Sequence, residues 1–400
     1  MDQIKVELLP SIYSKEDNTL DIEKVINMSG KYAGVCYNKE GFNKLLNENP
    51  EKTKRRAMMT LNNGHHSVFG HTHVTLNIEN IPKILAMILN NEKEFNTSEK
   101  SARYTPVVRT DDSIITKTEE DLYNKWMDIF TDRINEEYKE EFNPNKVNKL
   151  SQENARYLVT TFMPTKMIYT TSIRQINYIV SWMFKYINEN GYKDEFNSKL
   201  CDSMMEFIFE LERLHIVVDG LIQNDKNRSI SLFGKDLDKK EIHYGDNYST
   251  LYKASFAEVA QAQRHRTLSY KIEMSDEKNK EYFVPPIIED NDSLVNEWLG
   301  DMEKVKDVTP QGELVKVYEC GSFDNLILKA KERLCTHAQL EIMRQTRKTL
   351  EEYYNNLSPN CSLTKEDIKK YLKGARCTFP DYNCNSDCKF KEGKTLKRKI

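Results

Sequence analysis

The chain has 400 residues, more than one hydrophobic core usually serves, so two domains are expected. With 59 basic and 62 acidic residues its net charge is −3, and no global basic excess points to nucleic acid. Eight cysteines, several of them isolated, do not form the framework of a small secreted protein. Reduced thiols are expected throughout most of the chain.

Taken in order, Ile4 to Leu9 alternates around charged residues and predicts an opening strand, without the apolar core of a secretion signal. Phe42 to Asn62 carries a helical stripe at Leu45, Leu46, Met58 and Leu61. Val74, Leu76 and Ile78 alternate with polar residues as a half-buried strand would, and Pro82 suits the first turn of a helix running toward Asn91. The apolar run Ile84 to Leu89 within it is far too short for a membrane span, and a cytoplasmic protein is expected. Glu119 to Phe142 predicts a packing helix through Leu122, Trp126, Phe130 and Ile134, and Asp202 to Val218 is helical. Asn224 to Asn247 is polar, with Gly234 and Gly245, and is expected to be a linker. A short strand at Leu314 to Tyr318 follows, then helices near Asn325 to Arg333 and Ala338 to Tyr353. The last twelve residues, Lys389 to Ile400, contain six basic residues and one acid and predict a solvated tail.

Two segments carry specific chemistry. Gln261-Ala262-Gln263-Arg264-His265-Arg266-Thr267-Leu268-Ser269-Tyr270 resembles the Q-x-x-R-H-R-x-x-S-Y core of the flavin-dependent thymidylate synthases, and Arg333-Leu334-Cys335-Thr336-His337-Ala338-Gln339-Leu340-Glu341-Ile342 resembles their R-x-x-x-H-A-Q-W-E-I segment. The first half also resembles the family: His65 to His71 stands where it has H-E-T-P-F-E-H, Ser101 to Tyr104 where it has S-G-R-Y, Glu153 to Leu158 where it has E-x-A-R-x-x-L, and Thr170 to Gln175 where it has T-x-N-x-R-S. The losses are complementary. Asn91-Glu92-Lys93 replaces Arg-His-Arg in the first half, whereas in the second Met274 stands where a serine is due and no S-G-R-Y follows.

The resemblance implies an α+β fold of two tandem repeats, each a mixed sheet with helices: residues 1–223, a linker 224–247, a second repeat 248–356 and a Cys-containing basic tail 357–400. It implies reductive methylation of dUMP to dTMP with methylenetetrahydrofolate and NADPH as co-substrates and FAD as cofactor. Guanidinium forks match phosphate and ring carbonyl oxygens. By resemblance Arg264, His265, Arg266, His66, Ser67 and His337 hold the flavin, although Gly70 stands where the family has a glutamate. Gln261, Glu99, Ser101, Arg103, Arg156 and Arg333 hold the nucleotide, with Arg333 and Ser101 acting in catalysis. A homodimer would reproduce the family's tetramer of single repeats. Two alternatives stay open: a flavin-dependent methylase or hydroxymethylase of another pyrimidine nucleotide, and a non-catalytic nucleotide-binding or assembly protein with this fold. Cys361, Cys377, Cys384 and Cys388 are either four ligands of a structural zinc or unconnected thiols, since their spacing lacks a C-x2-C knuckle.

Overall fold

A computed structural model describes residues 3–101, 106–110, 113–138, 141–191, 193–223, 231–276, 278–384 and 395–400. The chain forms two compact units, Met1–Lys100 with Pro164–Ser231 and Ser101–Met163 with Leu232–Ile400. The segment 101–163, expected within the first repeat at 1–223, thus belongs to the second unit.

The first unit contains β1 (Lys5–Leu8), α1 (Ile22–Val35), α2 (Phe42–Leu46), α3 (Pro50–Asn62), β2 (His73–Pro82), α4 (Lys83–Leu89), β3 (Asn96–Glu99), β4 (Pro164–Ser172), α7 (Ile173–Asn190), α8 (Glu195–Arg213) and α9 (Asp219–Ile222). The stripe from Phe42 to Asn62 is split in two because Asn49 Oδ1 accepts from the Glu51 and Lys52 amides and starts a new helix at Pro50. Pro82 ends β2 and caps α4 instead of occupying its first turn. Every residue of α4 from Ile84 to Leu89 is buried, as a helix apolar all round should be. The sheet has the order β1-β2-β4-β3.

The second unit contains α5 (Lys117–Glu137), α6 (Pro144–Ala155), β5 (His243–Tyr244), β6 (Asn247–Ser255), α10 (Phe256–Ala262), β7 (Ser269–Glu273), α11 (Asp292–Lys304), β8 (Leu314–Ser322), α12 (Phe323–Arg333), α13 (Leu340–Asn355) and α14 (Lys365–Lys369). Its sheet has the order β5-β6-β8-β7. Trp126 of α5 meets Trp298 of α11 edge-on, ring centroids 4.8 Å apart, and both indole N–H groups are satisfied, by Asp301 Oδ2 at 2.9 Å and Phe283 O at 2.8 Å. Leu122, Phe130, Ile134, Tyr157, Ile288, Met302 and Ile400 complete this core.

The two sheets share strand order and register, as a tandem repeat requires. Asn96 pairs with Thr170 where Ser269 pairs with Cys320, and His73 pairs with Ser172 where Asn247 pairs with Ser322. Ser172 and Ser322 cap the helices that follow in the same way. The first sheet carries one additional residue in β2, taken up by an irregularity between Ile78 and Ile81 at which Asn80 adopts a φ of 59°. The α+β class expected from the sequence is found, with every ladder between named strands antiparallel and a parallel bridge, Phe233 to Ile272, beside β7.

Two expectations need correction. The polar stretch 224–247 is not a linker throughout: Leu232 and Leu237 are fully buried and β5 pairs with β6. Residues 224–230 lie outside the described residues. Nor is the carboxyl-terminal segment solvated at its described end, where Arg398 and Ile400 are buried. Among the described residues no helix is long and apolar enough to cross a membrane.

Candidate active site

In the second unit, β6 runs through the cap Ser255 into α10, whose last turn carries Gln261, and the chain then turns through Arg264, His265 and Arg266 into β7. Facing it, α12 ends at Arg333, and the segment 334–339 leads into α13. Arg333 joins the two. Its Nε donates to His265 Nε2 at 2.6 Å and its Nη2 to Gln261 O at 3.3 Å. His265 is therefore a neutral imidazole accepting at Nε2. Burial, then the charges of Arg333 and Lys329, depress its pKa to about 2. Arg264 is partly exposed and Arg266 exposed, and neither lies in the core.

Gln339 is the centre of a second connection. Arg156 Nη2 and Gln261 Nε2 both donate to Gln339 Oε1, and Gln339 Nε2 donates to the Tyr157 hydroxyl. That hydroxyl donates to Glu341 Oε2 at 2.9 Å, and Glu341 also accepts from the Ser255 amide at 2.8 Å and the Ser255 hydroxyl at 2.6 Å. Burial raises the Glu341 carboxyl, while Ser255, Tyr157 and Arg156 oppose the shift. Arg156 also donates to Glu153 O at 3.2 Å. Gln261 Oε1, by contrast, is buried without a hydrogen-bond partner. An orphaned buried acceptor at this point suits a ligand N–H or O–H. Sequence reasoning placed Arg156, Gln261 and Arg333 in one site and overlooked Gln339, Tyr157, Glu341 and Ser255 as its supports. Gln339 and Glu341 stand in the H-A-Q-W-E-I segment and could have been read from it.

Beneath this surface the second sheet has a buried ionisable core. Glu319 accepts from Tyr248 at 2.5 Å, from Tyr252 at 2.8 Å and from Lys329 at 2.7 Å, all buried. The corresponding positions of the first sheet hold Val74, Ile78, Tyr169 and Ile179. Glu258, also fully buried, has neither side-chain oxygen hydrogen-bonded, and burial raises it to about 8, chiefly against Lys329 and with Glu341 and Glu319. It is protonated at neutral pH.

The remaining candidates fall elsewhere. In the first unit, Asn91-Glu92-Lys93 follows α4 as Arg264-His265-Arg266 follows α10, each helix having seven residues. There Glu92 Oε1 accepts from the amide and hydroxyl of Ser231, both at 2.7 Å, so this loop binds its own chain. Glu99 is tied to Lys83 and to Asn90, the latter at 2.9 Å. His66 uses both ring nitrogens, on Tyr178 OH at 3.1 Å and Leu61 O at 3.0 Å, and Ser67 is exposed. Ser101 opens the second unit, and Arg103 lies outside the described residues. His337 is exposed by surface area, yet partial desolvation of its ring, then the charges of Lys146, Arg376, Lys149 and Arg398, lower its pKa. Among the described residues no three His, Cys, Asp or Glu side chains gather to hold a metal. Cys361 points its thiol at Ser358 O, 3.0 Å away, and does not join Cys377 and Cys384; Cys388 lies outside the described residues. The expected zinc ligand set is thus not assembled by these three.

A sequence profile for the family described as "Thymidylate synthase complementing protein" matches residues 19–186. The matched residues, fewer than half of the chain, are similar to this family. The match covers the first-half motifs and ends before Gln261. Among solved structures, a UMP/dUMP methylase from Streptomyces cacaoi, crystallised with 5-Br dUMP, is similar over 54% of this chain and 97% of its own, with 14% identity and a TM-score of 0.32. No curated protein matches the sequence.

Proposed function

We propose that the chain is a thymidylate synthase-like nucleotide methylase that converts dUMP to dTMP with methylenetetrahydrofolate, FAD and NADPH. The observation that carries this reading is the convergence of Arg156 and Gln261 on Gln339 Oε1, beside an unpartnered Gln261 Oε1. A cation suited to phosphate and an acceptor suited to the uracil N3–H or a ribose hydroxyl are thereby held in one network. Arg333, fixed on His265 and Gln261 O, brings a permanent charge to the same place, where it would stabilise negative charge developing on the pyrimidine ring as carbon 5 is alkylated.

FAD is held, in this reading, by Arg264 and Arg266, whose side chains are outside the core, and by His265 and His337; when bound it supplies the reducing equivalents that turn the transferred methylene into methyl. His265 stays neutral and offers hydrogen bonds without added charge. Residues 93 and 91, where the first unit has lost both arginines, are given no flavin role.

The test is product analysis. Purified protein is incubated with FAD, NADPH, methylenetetrahydrofolate and dUMP, in parallel with other pyrimidine nucleoside monophosphates, and nucleotides are separated by mass. dTMP from dUMP is the expected product. A hydroxymethyl product, turnover of another nucleotide alone, or no product with flavin and dUMP bound would overturn the reading.

A further inference from the structure

Resting on the nucleotide site just proposed, we infer that Arg398, assisted by Arg376, is a positioning residue for that site: it fixes the course of the segment 334–339, which spaces Arg333 from Gln339. Both arginines lie in the tail, outside the family resemblance.

The physical requirement comes from the helix ends. α12 finishes at Arg333 and α13 begins at Leu340, so the last carbonyls of α12 and those of the connecting segment need donors that neither helix supplies. Within the segment, the Cys335 amide reaches Arg333 O and the Ala338 amide reaches Cys335 O. Four further carbonyls are served by the tail. Arg398 Nη1 donates to Thr336 O at 3.1 Å and Nη2 to Ala338 O. Arg376 donates through its amide to Leu334 O at 2.7 Å and through Nη1 to Lys331 O at 3.1 Å. One guanidinium thus spans the two carbonyls flanking His337, directly before Gln339.

Arg398 is itself held firmly. It is 2% exposed; burial lowers its pKa, opposed by the carboxylate of Glu153, on the α6 turn whose carbonyl accepts from Arg156. Next to it, the Lys399 amide donates to Tyr138 OH at 2.9 Å, and Lys399 Nζ lies 3.0 Å from Asp290 and 3.3 Å from Glu137. Ile400 is buried in the core that contains Trp126 and Trp298. The Lys399 amide and the buried Ile400 keep the guanidinium from following the segment if it moves. A fork of fixed geometry satisfies two carbonyls at once, which an ammonium on a flexible stem does less well. Removing it leaves two carbonyls without a donor and frees the residues that set Gln339 against Arg156 and Gln261.

The experiment compares wild type with Arg398→Ala, Arg398→Lys, Arg376→Ala and, as a control, Lys399→Ala. Amide hydrogen exchange is followed in peptides covering 334–339, together with dUMP binding by calorimetry and the separate KM and kcat for dUMP. Arg398→Ala should speed exchange in that segment at least tenfold and weaken dUMP binding about tenfold, through KM, with kcat changed less than threefold. Arg398→Lys should recover part of both, and Arg376→Ala should show a smaller change of the same kind. Lys399→Ala should leave dUMP binding within twofold. Exchange and dUMP affinity within twofold of wild type in Arg398→Ala, or in Arg398→Lys and Arg376→Ala should the alanine variant not fold, would overturn the assignment. Wild-type protein that binds no dUMP would instead overturn the proposed function, while the exchange measurement still decides whether Arg398 clamps the segment.

Discussion

Arg156 and Gln261, from motifs that lie in different halves of the sequence, donate to the same oxygen, Gln339 Oε1. Gln339 answers by donating to Tyr157, so one amide fixes three neighbours. Replacing it by methionine keeps the volume and removes both functions. Gln339→Met should destabilise the protein by about 1–3 kcal/mol, the cost of leaving buried polar groups unpaired. Urea denaturation measures this, and a loss below about 0.5 kcal/mol would show that the network relaxes around the gap.

The Lys329 to Glu319 pair is fully buried and carries two tyrosine hydroxyls. Breaking such a pair leaves one uncompensated charge in the core and costs about 3–5 kcal/mol. Lys329→Met alone should show this loss, whereas Lys329→Met combined with Glu319→Leu should recover much of it. Equal losses in the single and double variants would contradict the pairing.

Much of the fold is legible locally. Alternation at Val74, Leu76 and Ile78 locates β2, and fourfold spacing from Leu122 to Ile134 locates α5, because periodicity reports which face is buried. It does not report the partner. Nothing local to Trp126 reveals Trp298, so no local signal places the segment 101–163 in the second unit. β5, two residues long, is set by pairing with β6 and has no pattern of its own. Arg398 reads as solvated because its neighbours are basic, whereas its guanidinium is buried against the carbonyls of Thr336 and Ala338. At the candidate site, the motifs point to Arg156, Gln261 and Arg333, while Ser255 becomes visible through Glu341 and Tyr157 through Gln339 and Glu341.

Glu258 and His265 give opposing pH dependences. Glu258 is raised to about 8, so the folded state keeps a proton that the unfolded chain releases near 4.5, and its contribution to stability is lost as pH rises between these values. His265 is lowered to about 2, so its contribution is present above 6.5 and lost as pH falls below it. Their slopes oppose one another from about pH 4.5 to 6.5, and above 6.5 the glutamate acts alone. Glu258→Gln should therefore gain stability relative to wild type between pH 6.5 and 8, by at most about 1.4 kcal/mol per pH unit. Parallel stability curves for the two proteins across that range would refute the buried protonated carboxyl.

Arg264→Ala should remove the flavin from otherwise folded protein, since loss of a charge-assisted hydrogen bond weakens binding by about 1.5–3 kcal/mol and a partly exposed arginine adds little to the core. Lys93→Ala should leave flavin absorbance unchanged, as its loop binds Ser231. Visible absorbance of the purified variants checks both, and flavin retained by Arg264→Ala would take that residue out of the cofactor site.

The shared oxygen on Gln339 makes the central claim measurable through a double-mutant cycle on dUMP affinity. Calorimetric titration of wild type, Arg156→Ala, Gln261→Ala and the double variant should show each single change weakening dUMP by about 1–3 kcal/mol, with the double variant losing less than the sum by at least about 1 kcal/mol. Losses that simply add, or single variants that bind dUMP as wild type does, would mean that Arg156 and Gln261 do not serve one nucleotide.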